Sequence, residues 1–123
     1  MKLGSNPVLM SIHPEYAEKI YSWKKTWEFR KNPPPLFQVV YLYETAPVSA
    51  ITGLVVFTAG IRGGIDFILD NTQNRERGVS ENALRRYAGD GLISALRVGV
   101  SYKLEKPVHI RCRPPQNWMY YGQ

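Results

Sequence analysis

Cysteine and histidine are scarce in this sequence: Cys112 is the sole cysteine, and two histidines stand among 123 residues. A lone cysteine cannot form an intramolecular disulfide, so we expect a cytoplasmic protein in a reducing compartment. No cysteine and histidine pair has the spacing of a zinc site, and the P-loop, the dinucleotide fingerprint and the G-x-S-x-G elbow are missing too. We therefore predict no metal and no cofactor.

Long apolar runs are missing as well. No segment approaches the ~20 apolar residues that a membrane-spanning helix needs. The N-terminal stretch MKLGSNPVLM lacks the apolar region of a signal peptide. We expect no membrane among the partners of this protein.

Acidic residues are fewer than basic ones, with 10 Asp and Glu against 16 Lys and Arg and a formal net charge of +6. Such an excess favours a polyanionic partner because lysine and arginine neutralise phosphates, although it also serves plain solubility. The chain is rich in aromatic residues, with three Trp, eight Tyr and four Phe, on which bases can stack. RNA or a nucleotide-like ligand is the partner that this composition favours.

The length and the 44% hydrophobic content suit a single domain over residues 1–123 with one core. Strands are predicted at 7–12, 26–31, 37–44, 50–59, 96–103 and 108–113, and helices at 14–23, 65–69 and 80–87. The polar stretch 71–78 is predicted to be a mobile loop. This order predicts an α+β fold, a small mixed or antiparallel β-barrel with flanking helices.

Lys25, Glu28 and Arg30 form the first candidate site. In a strand over 26–31, Trp27 and Phe29 point to one face and are predicted to be buried, so Glu28 and Arg30 share the other. An amine, a carboxylate and a guanidinium would then meet in one patch that can bind a base edge or a phosphate and shift pKa values for catalysis. The alternative is a salt-bridge cluster that only fixes local geometry.

Basic residues recur along the last two predicted strands and form a second candidate, for contacts to a nucleic-acid backbone. They are Arg97, Lys103, His109, Arg111 and Arg113. The alternative is an ordinary solvated strand face. Cys112 alternates with apolar residues in the same stretch and is therefore expected to be buried.

Gln116, Trp118 and Tyr120 form the third candidate, near the end of the chain. Glutamine can read a base edge and tryptophan can stack on a base. The alternative is a closing segment that places Trp118 in the core.

Residues 11–20, SIHPEYAEKI, and 23–30, WKKTWEFR, resemble the signature of the ASCH domain family, S-I-K-P-x-Y-A-x-K-I followed by G-x-K-x-x-E-x-R. Further similarity follows at 41–48, 51–53, 104–107 and 114–118. The resemblance implies a PUA-like barrel whose cleft contains Lys25, Glu28 and Arg30. It also implies RNA binding, with a regulatory role in transcription or translation.

Two residues depart from that signature. His13 stands in place of lysine and keeps a titratable group near the cleft, which makes it a candidate ligand-binding residue. Trp23 stands in place of glycine and fills space that glycine leaves open, so the shape of the ligand is in question.

The resemblance leaves an enzymatic alternative open. One branch of ASCH proteins is similar to amidohydrolases that act on N4-acetylcytidine, and other members resemble ribonucleases. Lys25 matches the lysine of that branch, but Glu28 stands in place of its threonine, and Thr26 lies two residues away. Glu76 or Glu81 would have to supply the later acid. If the protein is an enzyme, we expect Lys25 and Glu28 to be catalytic; a protein-interaction domain is the remaining alternative.

Overall fold

One six-stranded sheet organises residues 2–122, the part of the chain that this computed structural model describes. The strands are β1 (Val8–Ile12), β2 (Trp27–Arg30), β3 (Val40–Glu44), β4 (Ala50–Gly63), β5 (Ile93–Val108) and β6 (Trp118–Tyr120). The helices are α1 (Pro14–Tyr21), α2 (Ile65–Asp70), α3 (Asn74–Arg77) and α4 (Glu81–Ala88). No helix within residues 2–122 is long and apolar enough to cross a membrane.

The sheet has the order β2-β5-β4-β3-β1-β6, in which β1 and β3 run parallel and the other neighbours antiparallel. The register between β4 and β5 shifts at several points, and such bulges bend a strand and increase its twist. The sheet therefore curls into a half-barrel, and helices pack against it. This confirms the predicted α+β, PUA-like architecture.

Helix α1 lies against the inside of the curled sheet. Pro14 occupies its first turn, where the missing N–H costs no hydrogen bond. Ala17 and Ile20 are fully buried in a core cluster with side chains of β1, β3, β4 and β5. This packing fixes the direction in which the chain leaves α1 for β2.

A second core cluster lies beneath α2 and α4 and joins them to β2 and β5. Helix α4 begins at Ser80, whose hydroxyl accepts a hydrogen bond from the backbone N–H of Ala83, as an N-cap does. Leu84 and Ala88 point into the cluster and meet Phe29 of β2 there. Strand β2 therefore lies between the two helical layers, and its Glu28 and Arg30 side chains face the space between α1 and α4.

The C-terminal segment differs from the prediction. Strand β5 ends at Val108, and residues 109–117 are irregular, so the predicted strand over 108–113 is wrong. Among the described residues no strand pairs with 109–113, and Pro114 and Pro115 beyond them have no N–H to donate to a ladder. Cys112 is exposed, because without a strand the alternation that predicted its burial does not apply.

The segment over 71–78 also differs from the predicted mobile loop. It contains α3, and Thr72 and Arg77 are buried, with exposed fractions of 5% and 6%. Thr72 and Arg77 are hydrogen-bonded within the protein, whereas residues 71 and 73–75 are exposed to solvent.

Candidate functional site

A cavity of about 390 Å³ opens between α1 and α4, with β2 at its floor. This volume lies in the usual range for small-molecule sites. One side is polar and one is apolar. The polar lining residues are Ser11, His13, Tyr16, Lys25, Glu28, Arg30, Thr45, Tyr87 and Gln116, and the apolar ones are Ile12, Phe29, Val79, Ala83 and Leu84.

Lys25, Glu28 and Arg30 meet at the floor of this cavity. The Lys25 Nζ lies 3.6 Å from Glu28 Oε1, and Arg30 Nε donates to Glu28 Oε2 at 2.8 Å. Lys25 and Glu28 are 2% and 5% exposed. The three side chains carry two positive charges and one negative charge, so the floor has an unbalanced positive charge that an anionic group can neutralise.

Burial and neighbouring opposite charges shift the pKa values of Lys25 and Glu28 in opposite directions. Burial lowers the pKa of the Lys25 ammonium, and the adjacent Glu28 carboxylate opposes this without restoring the ordinary value. Burial alone would raise the pKa of Glu28, but the charges of Arg30 and Lys25 hold it below its usual range. Glu28 is therefore a carboxylate at neutral pH.

Arg30 connects the floor of the cavity to the C-terminal segment. Its Nη1 donates to Asn117 Oδ1 at 2.8 Å, and its Nη2 donates to the carbonyl oxygen of Ser11 at 2.9 Å. The Ser11 hydroxyl donates to the carbonyl oxygen of Pro115 at 2.6 Å. Because each of the three guanidinium nitrogens of Arg30 has an acceptor, the group is held in one orientation.

Aromatic rings surround the Lys25 ammonium. Its Nζ lies 4.9 Å from the centre of the Phe29 ring and 5.4 Å from that of Tyr16, within the range of cation–π attraction. Phe29 is buried as predicted, whereas Trp27 is only half-buried. The guanidinium carbon of Arg97 lies 5.1 Å from the centre of the Trp27 ring. Phe29 lines the cavity, whereas Trp27, two residues earlier in β2, does not.

Two other predicted ligand-binding residues, His13 and Gln116, line the cavity. His13 is exposed at the rim, and its Nδ1 lies 3.4 Å from the Thr45 hydroxyl. Trp118 does not line the cavity. It packs on the first core cluster, and its Nε1 donates to the carbonyl oxygen of Asn32.

The predicted basic set is spread along β5 and the segment after it. Arg97 contacts Glu76 at 3.4 Å on the far side of β2 from the cavity. The others, Lys103, His109, Arg111 and Arg113, are exposed and do not line the cavity. Arg113 lies three residues before Gln116, so the exposed basic segment leads to the cavity rim.

The residues considered for an amidohydrolase do not meet in the cavity. The Thr26 hydroxyl donates to Glu76 Oε1 at 3.2 Å, but neither residue lines the cavity. Glu81 pairs with Arg85 on the surface. Across residues 2–122, no three His, Cys, Asp or Glu side chains form a group that could hold a metal ion.

Several residues of the site were not predicted from the sequence. Tyr16, Thr45 and Tyr87 line the cavity from α1, the β3–β4 turn and α4. Arg77 and Asn117 hold Lys25 and Arg30 in place from distant parts of the chain. Tyr16, Thr45 and Asn117 stand within segments that resemble the family and could have been found there, whereas Arg77 and Tyr87 carry no such signal.

Known proteins resemble this chain in sequence and fold. Residues 10–63 match the ASCH domain. An ASCH domain-containing ribonuclease of Zymomonas mobilis is 35% identical over 81 residues, which are 64% of this chain and 54% of that protein. The chain thus spans about half the length of this curated relative.

Solved structures match over a larger share of both chains. The crystal structure of ASCH from Zymomonas mobilis superimposes with a TM-score of 0.84 and 26% identity, covering 95% of this chain and 88% of that one. A tyrosine-to-phenylalanine mutant of the same protein has the same TM-score with 25% identity and 91% of its chain covered.

Proposed function

Because the chain belongs to the ASCH domain family, we propose that it binds RNA and holds one nucleotide of the strand in the cavity above Lys25. The observation that carries this proposal is the positively charged Lys25–Glu28–Arg30 cluster, buried at the floor of a nucleotide-sized cavity. Cytoplasmic localisation is part of the proposal and rests on the single cysteine. Binding without cleavage would suit a regulator of transcription or translation.

Each part of a nucleotide has a matching surface in the cavity. A phosphate is the anion that suits the unbalanced positive charge at the floor. Val79, Ala83 and Leu84 offer an apolar wall to the flat face of a base, and Tyr16 offers an aromatic ring. Gln116 has both donor and acceptor groups with which to read a base edge.

The basic segment before Gln116 extends this interface to the rest of the strand. Arg111 and Arg113 are exposed and precede Gln116 by a few residues, so neighbouring phosphates would contact them first. The exposed residues His109 and Lys103 precede them in the chain, whereas Arg97 pairs with Glu76 away from the cavity. Exposed cations of this kind add affinity without sequence preference.

Cleavage of the bound RNA is the second candidate function, and the name of the Zymomonas mobilis ribonuclease favours it. In the step that we propose, the 2′-hydroxyl oxygen attacks phosphorus and the bond to the 5′ oxygen breaks. His13 accepts the proton of the 2′-hydroxyl, and the Lys25 ammonium donates a proton to the departing 5′ oxygen. The products are a 2′,3′-cyclic phosphate and a 5′-hydroxyl. The Glu28 carboxylate favours the charged form of Lys25 and so opposes the lowering of its pKa by burial.

Titration of a fluorescent single-stranded RNA tests the binding proposal, with Lys25→Met compared against the wild type. We expect the substitution to weaken binding by about 10-fold or more, since it removes a charged donor from the phosphate. Lys24→Met is the matched control, because Lys24 is exposed and adjacent to Lys25. Thermal unfolding shows whether each variant is folded.

Unchanged affinity in a folded Lys25→Met variant would contradict the proposal. RNA fragments ending in a cyclic phosphate, lost in Lys25→Met and in His13→Ala, would establish the second candidate. Deacetylation of N4-acetylcytidine would favour the amidohydrolase alternative instead. A wild-type protein that binds no RNA would leave the protein-interaction alternative.

A further inference from the structure

We propose that Arg77, which lies in the connection between α2 and α4 (residues 71–80), is a positioning residue that fixes the direction of the Lys25 ammonium in the cavity. Arg77 does not line the cavity, so it acts through Lys25. The functional consequence rests on the proposed RNA binding. The positioning itself rests on the contacts of Arg77 and can be measured separately.

The side chain of Arg77 attaches the connection to the end of α2. Its Nη2 donates to the carbonyl oxygen of Leu69 at 2.7 Å and also to that of Thr72. Its Nε donates to the Thr72 hydroxyl at 2.8 Å, and that hydroxyl donates to the carbonyl oxygen of Ile68. Carbonyl oxygens at a helix C-terminus carry partial negative charge, which stabilises the buried guanidinium.

Three successive carbonyl groups of the connection then face the α1–β2 junction. The oxygen of Glu76 accepts the N–H of Thr26 at 2.9 Å. The oxygen of Arg77 accepts from Lys25 Nζ at 2.6 Å, and that of Gly78 accepts from Lys19 Nζ at 3.1 Å. The backbone oxygens of residues 76–78 thereby hold the residue just before β2 and the ammonium groups of Lys25 and Lys19.

Gly78 allows this close approach. Its φ is +68°, and an added Cβ would lie 2.6 Å from the Cβ of Lys25. A side chain at this position would push the connection away from Lys25 and would also strain the backbone. The connection therefore packs directly on the aliphatic part of the lysine whose ammonium it accepts.

Among the described contacts of the Lys25 ammonium, the one to Arg77 is the shortest. The carboxylate of Glu28 lies a full ångström further away, at 3.6 Å compared with 2.6 Å. If the connection moved, Lys25 would lose this acceptor and gain access to water. The guanidinium of Arg77 prevents that movement, and lysine cannot replace it because one ammonium cannot span the same set of acceptors.

The test compares Arg77→Lys with Arg75→Lys, which changes an exposed arginine of the same short helix α3. Acetylation of Lys25, followed by mass spectrometry on the native protein, measures the accessibility of its ammonium. We expect Arg77→Lys to increase the rate of acetylation at Lys25 by about 10-fold or more and to weaken RNA binding by a similar factor. Arg75→Lys should match the wild type in both.

The pH dependence of RNA binding separates positioning from a general loss of structure. Burial lowers the pKa of Lys25, so the wild type loses its cation, and with it RNA affinity, as the pH rises through that lowered value. In Arg77→Lys, contact with water raises the pKa of Lys25 again. The loss of affinity should therefore move to higher pH, which a change in overall stability would not produce.

A folded Arg77→Lys variant with unchanged Lys25 acetylation and RNA affinity would overturn the inference. If that variant does not fold, Thr72→Val removes one acceptor of Arg77 with little change in volume and should give the same effects, smaller in size. If Thr72→Val leaves Lys25 protected from acetylation and the RNA affinity unchanged, that result would also overturn the inference. If the wild type binds no RNA but Arg77→Lys exposes Lys25, the proposed function fails and the positioning role stands.

Discussion

At the scale of single residues, Glu28 is the group on which the charge balance of the cavity depends. It is the one carboxylate that pairs with both Lys25 and Arg30. Replacing it by glutamine leaves two cations facing each other with little exposure to water. Such a change usually lowers the free energy of unfolding by more than the intact ion pair contributes to it, because the uncompensated charges stay buried.

We expect Glu28→Gln to lower the free energy of unfolding by about 3–5 kcal/mol at neutral pH. The pKa of Glu28 is lowered in the folded protein, so its contribution is present above the ordinary glutamate pKa of about 4.3 and is lost as pH falls through the lower folded value. Urea unfolding between neutral and acid pH measures both effects. Glu18→Gln, at an exposed position of α1, is the control. A Glu28→Gln variant as stable as that control would refute the prediction.

Trp23 illustrates a conflict between side chain and backbone. Its φ is +61°, in the left-handed region that disfavours bulky side chains, and the residue is 50% exposed. We expect Trp23→Gly to raise the free energy of unfolding by about 0.5–1 kcal/mol. Trp23→Ala loses the same ring without relieving the backbone, so it should be less stable than Trp23→Gly. Equal stability of the two variants in thermal unfolding would contradict this account.

At the scale of elements, the sequence pattern within a strand or a helix predicted which side chains of that element share a face. Alternation in β2 placed Glu28 and Arg30 together, and the apolar spacing in α1 predicted Ala17 and Ile20 to face the core. The role of Arg77 could not be predicted in this way, because the acceptors of its side chain lie at Leu69 of α2 and at Thr72, outside its own helix. The end of β5 at Val108 was missed because the absence of a partner strand is not visible in the alternation of 108–113.

Helix α4 gives a prediction at this scale, because it forms one wall of the cavity and depends on the Ser80 cap. Ser80→Ala should lower the free energy of unfolding by about 1 kcal/mol. Hydrogen exchange should become faster in the first turn of α4 and remain unchanged in α1. Ser80→Asp keeps an acceptor at the cap and should match the wild type; an equal loss in both variants would exclude the capping explanation.

At the scale of the whole molecule, the net charge of +6 predicts binding that depends on salt. RNA affinity should fall as salt rises, with a slope of roughly 0.7 per neutralised phosphate in a logarithmic plot. Replacing both Arg111 and Arg113 by glutamine should reduce that slope by about 1.4 if each contacts a phosphate. Titrations at several salt concentrations measure it. Arg75→Gln is the control, and a slope unchanged in the double variant would remove the C-terminal segment from the interface.

The contacts between the two ends of the chain also determine when the cavity can exist. Ser11 and Arg30 are held by Pro115 and Asn117, which are separated from them by 104 and 87 positions. During synthesis on the ribosome the early strands emerge well before these partners, since chains are made from the N-terminus onward. A nascent chain therefore has Lys25, Glu28 and Arg30 without the groups that orient them. The cavity becomes complete only when residues 115–118 have left the ribosome, so under the proposed function an unfinished chain would not bind RNA through this site.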